Sequence, residues 1–377
     1  MWIRIKRLLA IMKKEMIQLL RDRRTLVLFF SLPLLELFLF AYAVELTVDH
    51  MPTAVADMSR DVQSQQLIDA LQVSGYFDVV RYLEDEADVI RAIDAGQVKA
   101  GVVIPPDFAT QVERGDAQAL VIFDGSDSFT VQSGYTAAVA VAQARAMELV
   151  VAKMDRRGVR LGSLPIDAST RVLYNPNMDD MVFIVPALAA LLLQLLTVNL
   201  TAMSVVRERE LGTLEGLLIT PLRPIELMVG KMVPNVVVAL LNLLSIVLAG
   251  VFWFGVPFRG DPWLFGWLAL LFIVSGLGLG LLISTVSQTQ HQAQQLGAML
   301  MLLSILLTGF IYPREPMPLL VQTVGNLIPL TYFIRIARGV FTKGIGVSFL
   351  WSDVLALVVY GTVVMAVAAT TFKKRLD

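Results

Sequence analysis

The chain has 377 residues, 56% of them hydrophobic against about 45–50% in soluble domains, with 17% charged and a mean hydropathy of +0.68, which excludes an ordinary water-soluble enzyme and puts long stretches in a bilayer. It has no Cys and only His50 and His291, so a thiolate metal site, a redox switch and a disulfide scaffold are excluded and little imidazole chemistry remains. The net charge of −1 conceals a division: residues 46–180 hold 11 basic and 20 acidic residues (−9) and the remainder 20 basic and 12 acidic (+8), as expected of an acidic, water-exposed domain inserted in a basic membrane protein that has no basic patch for nucleic acid.

Residues 1–24 place Ile5, Leu8, Leu9, Met12, Met16, Leu19 and Leu20 on one helical stripe among eight basic residues. This predicts an amphipathic interfacial helix rather than a cleaved signal peptide, held in the cytoplasm by its positive charge. A first span follows at 25–45, long enough to cross a hydrocarbon core of about 30 Å. Residues 46–180 then form an extracytoplasmic α/β (α+β) domain. Its predicted order is strand 53–57, helix 62–72, strand 76–81, helix 86–95, strand 100–104, a short helix, strand 119–123 and a long helix at 129–157. A second span at 181–206 returns the chain to a cytoplasmic loop at 207–231. Further spans are expected at 232–256, 263–286, 293–312 and 349–372, with a cytoplasmic tail at 373–377. The fold class is therefore a polytopic α-helical membrane protein with six transmembrane helices and both ends inside. Arg335, Arg338 and Lys343 fall on the outer side, so the charge rule is obeyed only in part. Within an outer re-entrant hairpin at 313–348, residues 318–345 are apolar but broken by Pro329, Gly325, Gly339 and Gly344, which predicts two short helices that dip into the outer leaflet and return, backbone that needs protein or a watery cavity around it.

Searches for catalytic motifs return nothing: no metalloprotease helix, no nucleophile elbow and no phosphate loop. Gly230-Lys231 imitates the end of a phosphate loop, but Ile225 stands at its first Gly position and Met232 follows the Lys, so the chain binds no ATP by a loop of its own. Gly276, Gly278 and Gly280 sit within a span, where close helix packing is the better reading. Asp124, Asp127, Asp179 and Asp180 read as turn and helix-start residues, and no metal is assigned. Polar residues inside the spans are candidates for a substrate path because burying them in lipid is unfavourable: Glu36 foremost, then Gln194, Asn199, Ser304 and Thr308, with Asn242 beside them. Apart from Glu36, hydrogen bonding between helices accounts for them equally well. In the loop from Arg207 to Pro221, Leu211, Leu214 and Leu218 form an apolar face on a short charged helix that Thr220-Pro221 ends, marginal unless it docks on a partner.

The run Glu210 to Pro221, of the form E-x-G-T-L-E-x-L-L-x-T-P, with Glu226, Gly230 and Lys231 after it, resembles the signature of ABC-2 type transporter permeases. Gly309-Phe310-Ile311-Tyr312-Pro313, Met317-Pro318, Pro329-Leu330-Thr331-Tyr332 and Arg338-Gly339 are similar to that family's segment between the fifth and sixth spans, and the order of parts resembles the family plan over nearly the full length. The resemblance implies a permease subunit of an ATP-driven multidrug or antibiotic exporter in a bacterial inner membrane, its large domain on the periplasmic or extracellular side. It implies no catalysis and no cofactor on this chain, with ATP and Mg on a separate ABC ATP-binding subunit. Glu208, Glu210, Gly212, Thr213, Leu214, Glu215 and Pro221 would be the coupling contacts with that ATPase. Further implied partners are a second permease, identical or a sister subunit, a periplasmic adaptor, and membrane lipids. The cargo would be a small amphiphilic or drug-like compound or a lipid. The reading from a different class is a membrane-anchored receptor or scaffold whose extracytoplasmic domain binds a ligand or partner.

Overall fold

The computed structural model describes residues 2–43, 49–126, 128–156, 173–176, 179–212 and 224–374. The chain divides into two compact units, Glu45–Arg171 and the remainder, Met1–Val44 with Val172–Asp377.

The smaller unit is built around a four-stranded sheet of β1 (Met51–Asp57), β2 (Phe77–Leu83), β3 (Ala100–Ile104) and β4 (Leu120–Phe123) in the order β2-β1-β3-β4. Strand β1 runs parallel to β2 and β3, and β4 runs antiparallel to β3, with Ala100 opposite Phe123. Side chains alternate across a strand, and here both faces are covered, so the central strands read as continuous apolar runs rather than alternating ones. Met51, Val55, Ala100, Val102 and Ile104 pack on one face under Leu67, Ile68 and Leu71, Phe108, and Ala137 and Ala138. Those residues come from α3 (Val62–Val73), α5 (Phe108–Arg114) and α6 (Ser128–Arg156) respectively. On the other face Ala54, Ala56 and Val103 pack against Val89 and Ala92 of α4 (Glu86–Asp94). Asp61 and Ser64 close a reciprocal cap at the start of α3, and Asp85 caps α4.

The larger unit is helical. Its elements are α1 (Trp2–Arg21), α2 (Arg23–Ala43), α7 (Asp180–Glu210), α8 (Pro224–Phe252), α9 (Pro262–Val286), α10 (Gln290–Leu307), α11 (Leu319–Gly325), α12 (Leu330–Arg338), a π-turn at Gly339–Lys343, and α13 (Val347–Lys374). Helix α7 is apolar on all sides and buried along most of its length, which fits its central place against α2, α8, α9, α10 and α12. A Cβ at Gly276 or Gly280 of α9 would collide with Thr197 or the Val198 carbonyl of α7, and one at Gly278 would press on Val364 of α13. The glycine run is therefore the surface that lets three helices approach closely.

Among the described residues six helices are long and apolar enough to cross a membrane, and α11 with the α12 segment forms a further pair bent by 85°. Five of the six coincide with the expected spans. The sixth is α6, which belongs to the sheet-bearing unit and packs on its core. The expected span at 293–312 is instead α10, only 18 residues long, whose first turns hold Gln290, His291, Gln292, Gln294 and Gln295. It stops at Leu307 because Gly309 takes a left-handed backbone (φ 86°).

Candidate functional site

The last turn of α7 sets three charged side chains about 100° apart around the helix, so each meets a different neighbour. Glu208 accepts from the Lys231 ammonium of α8 at 2.7 Å, and Glu15 of α1 lies 3.8 Å from the same nitrogen. Lys14 is 3.2 Å from Glu15 and 3.8 Å from Glu208. Lys231 is only 8% exposed, and Gly230 beside it lets Ile11 of α1 come within the space a side chain would need. Arg209 donates to the Ser284 carbonyl at 2.9 Å and the Ser287 carbonyl at 2.6 Å, where α9 ends. Glu210 accepts the Gln290 amide at 2.8 Å and the Gln290 side chain, at the start of α10. Three consecutive residues thus tie α7 to α1, α8, α9 and α10 within the expected 207–231 segment. Gly212 ends the helix in a left-handed conformation (φ 66°) that only glycine adopts without strain.

Of the expected coupling contacts, Glu208 and Glu210 face this chain's own helices, Gly212 is exposed, and Thr213, Leu214, Glu215 and Pro221 lie outside the described residues. Lys231, which closes the imitated phosphate loop and also belongs to the run that resembles the permease signature, but is given no role by either, stands at the centre of the cluster; a lysine that breaks the apolar start of a long helix is its signal. Arg209, Glu15 and Gln290 were missed because a partner distant in sequence defines each.

Three expected path residues, Gln194, Asn199 and Ser304, lie on the α7 to α10 interface, and Thr308 caps the end of α10. Gln194 donates to the Ser304 hydroxyl at 2.8 Å, Ser304 and Thr308 bond back to carbonyls in α10, and Asn199 faces Gly297. The Gln194 Oε1 and Asn199 Oδ1 atoms are buried without a hydrogen-bond partner. Glu36 is not brought to this group: it sits half-buried on α2, whose main neighbours are α7 and α8. Asn242 of α8 has a different task. It donates at 2.9 Å to the Phe29 carbonyl, which would ordinarily receive the amide four residues on, but that residue is Pro33 and has no N–H.

The cations disfavoured by the charge rule are partly neutralised within the fold. Arg338 donates to the Gly309, Phe310 and Phe183 carbonyls and lies 3.6 Å over the Phe183 ring, and Arg335 pairs with Asp353 at 2.6 Å. In the sheet-bearing unit, ligands in such folds favour the crevice beyond the carboxyl ends of β1 and β3. Here it is filled by the chain itself: Ser59 and Asp61 accept the Phe108 and Ala109 amides at 3.1 and 2.9 Å. Burial alone would raise the Asp61 carboxyl, but the Ser59 hydroxyl and the backbone amides hold it below its ordinary value. Asp124 is depressed by its bonds to Lys99 and Ser126, Asp179 caps α7, Asp180 is in its first turn, and Asp127 is outside the described residues. No group of three or more acidic or imidazole side chains that could hold a metal occurs among the described residues.

The model of the family described as "ABC-2 family transporter protein" matches residues 23–370. The chain belongs to this ABC-2 family. It is 31% identical over 375 residues to the probable multidrug ABC transporter permease YbhS of Escherichia coli, covering 99% of this chain and 98% of that one. It is 28% identical over 371 residues to the probable multidrug ABC transporter permease YbhR of the same organism, covering 98% and 99%. ABC transporter G family member 20 of Dictyostelium discoideum matches at 22% over 349 residues, 90% of this chain and 47% of that protein. Membership gives this ABC-2 protein a transport permease role as a multi-pass, non-enzymatic subunit, and implies an ABC ATP-binding partner.

Proposed function

We propose that the chain is the permease subunit of an ATP-driven exporter in a bacterial inner membrane. It has six spans with both ends in the cytoplasm, residues 46–180 as an extracytoplasmic domain, and the 207–231 loop as its contact with a separate ATPase carrying ATP and Mg. The carrying observation is the tie of Glu208, Arg209 and Glu210 to four helices at the loop root. A push on the loop needs a stiff connection to move spans as bodies, and a buried, multiply bonded ion cluster supplies one. Thr213, Leu214, Glu215 and Pro221 would touch the ATPase, while Glu208 and Glu210 would hold the loop to the spans.

Export of a small amphiphile, drug-like compound or lipid is supported by the relatives' description as probable multidrug permeases and by the unpaired polar atoms of Gln194 and Asn199 between α7 and α10. Glu36 would line the path from the α2 side. A second permease would complete the pathway: Leu28, Leu32, Leu35 and Leu39 of α2 are each 50–60% exposed in the single chain, an apolar stripe for a sister subunit or lipid. A periplasmic adaptor would meet the acidic domain.

Co-purification tests the partnership. The intact chain should retain the ATPase encoded beside it, and a Gly212→Pro, Glu215→Arg double variant should lose it. Retention of no ATPase by the folded intact chain would return the receptor or scaffold reading to the front.

A further inference from the structure

Where α9 and α13 begin, residues 253–263 and 312–353 together hold five basic and three acidic residues. Three of the cations find partners inside the fold. Arg338 lies on the Gly309 and Phe310 carbonyls, Arg335 pairs with Asp353, and Arg314 donates to the Gln322 carbonyl at 2.6 Å and to Asn326 Oδ1 at 2.9 Å. Arg259 and Lys343 differ. Both are exposed, and among the described residues neither side chain has a hydrogen bond or an ion pair.

The backbone brings these two cations together. The Arg259 amide donates to the Phe341 carbonyl at 3.0 Å. A Cβ at Gly260 would lie 2.7 Å from the Val340 carbonyl oxygen, and one at Gly344 would lie 2.9 Å from the Arg259 carbonyl oxygen and 3.2 Å from its Cβ. Gly344 also takes a left-handed backbone (φ 66°) where the π-turn ends. Two positive side chains are thus fixed on adjoining segments although like charges repel. Asp261, two residues after Arg259, accepts the Trp263 amide and caps α9, so it offsets one charge at most.

Large rings stand beside the cations. Trp263 and Phe349, in the first turns of α9 and α13, are 82% and 77% exposed, and Trp267 continues the face of Trp263 one turn on. Both helices are long and apolar enough to cross a membrane. Aromatic rings at the end of a span lie at headgroup level, where a basic side chain meets lipid phosphate.

We propose that Arg259 and Lys343 bind the phosphate of an anionic phospholipid, with Trp263 and Phe349 against its glycerol and upper acyl chains. The positive charge selects this lipid over a zwitterionic one, and the rings select a lipid over a soluble anion. The inference rests on the chain's place in a bilayer and not on its coupling to an ATPase.

The test uses the full chain with Trp263 as its sole tryptophan, the other four replaced by Phe, in nanodiscs of phosphatidylcholine and phosphatidylglycerol. Bromines on the upper acyl chains of one lipid or the other quench a ring that the lipid touches. Brominated phosphatidylglycerol should quench Trp263 as a lipid bound about fivefold more tightly than brominated phosphatidylcholine. Arg259→Gln with Lys343→Gln should bring that ratio to about one, and Arg259→Lys with Lys343→Arg should keep it near five. Trp253 packs on Phe38 and bonds Tyr42, so as sole tryptophan it should report a ratio that the glutamine substitutions do not change. In the chain with every tryptophan intact, phosphatidylglycerol added to mixed micelles should raise the melting temperature more than in the Arg259→Gln, Lys343→Gln variant. Inorganic phosphate that removes the preference where chloride of equal ionic strength does not would mark a free-anion site and overturn the lipid assignment. Equal quenching of Trp263 by the two lipids, or a preference that survives loss of both cations, overturns the proposal.

Discussion

At the scale of single residues, the energetics turn on buried polar groups with fixed partners. Lys231 is almost fully enclosed against Glu208 and Glu15. Removing one partner of a buried ion pair strands the other, at about 3–5 kcal/mol. Lys231→Met should therefore lower thermal stability in detergent markedly, and Lys231→Met with Glu208→Gln should recover much of the loss; equal melting of the two variants would contradict the pairing. Asn242 is the second case. With Asn242→Leu the Phe29 carbonyl beside Pro33 loses its donor, and a melting shift equivalent to about 1–3 kcal/mol is expected. A Pro33→Ala background restores the helical amide, so there the same substitution should be nearly neutral. Interhelical hydrogen bonding is one of two readings of Asn242 in the sequence, but neither its partner nor the Lys231 cluster is legible there. Glu36, the most conspicuous intramembrane charge, drew attention to α2, whereas the residue that holds that helix to α8 is an asparagine some two hundred positions away.

At the scale of elements, local chemistry carried much further. The strand expected at 53–57 is Met51–Asp57 and the helix expected at 62–72 is Val62–Val73, because β-branched runs, an Asp cap and a following Gly punctuate them locally. The span expected at 293–312 shifted because the polar start of α10 is helical and Gly309 stops it early, so hydropathy misjudged both ends. Helix α6 shows the opposite confusion: its composition passes for a span although it covers a sheet. Two expectations belong here. Gly280→Leu should separate α7 from α9, since even a Cβ collides with the Val198 carbonyl, and size-exclusion profiles should show loss of folded protein, with Gly266→Leu, where space is open, as the tolerated control. The Asp61 carboxyl, lowered in the folded state, contributes stability that is present above its unfolded pKa of about 3.9 and is lost as pH falls through the lower folded value. Asp61→Asn should therefore flatten the acid limb of unfolding of the sheet-bearing unit below about pH 4. An unchanged acid limb would show that the caps of α3 and α5 do not depend on that charge.

At the scale of the whole molecule, membership of the ABC-2 family gives the chain a transport permease role and implies an ABC ATP-binding partner. Among the described residues, and apart from Arg335 with Asp353, the ion pairs that join different helices of the larger unit gather at the end of α7, where neighbouring hydrogen bonds also tie it to α9 and α10. The composition of residues 207–221 leads to the expectation of a docking element, most of which lies outside the described residues, whereas the brace before it is tertiary and invisible to periodicity. If that brace transmits force, loosening it should spare ATPase binding and hydrolysis while uncoupling them from transport. The decisive measurement is ATP-dependent movement of a fluorescent amphiphile in proteoliposomes holding the chain and its ATPase, for the intact protein and for the folded Lys231→Met, Glu208→Gln pair. The account predicts that hydrolysis persists and transport falls at least about tenfold, a loss of about 1.4 kcal/mol or more in coupling. Transport at the intact rate by the double variant, or no ATP-dependent transport by the intact chain, would contradict it.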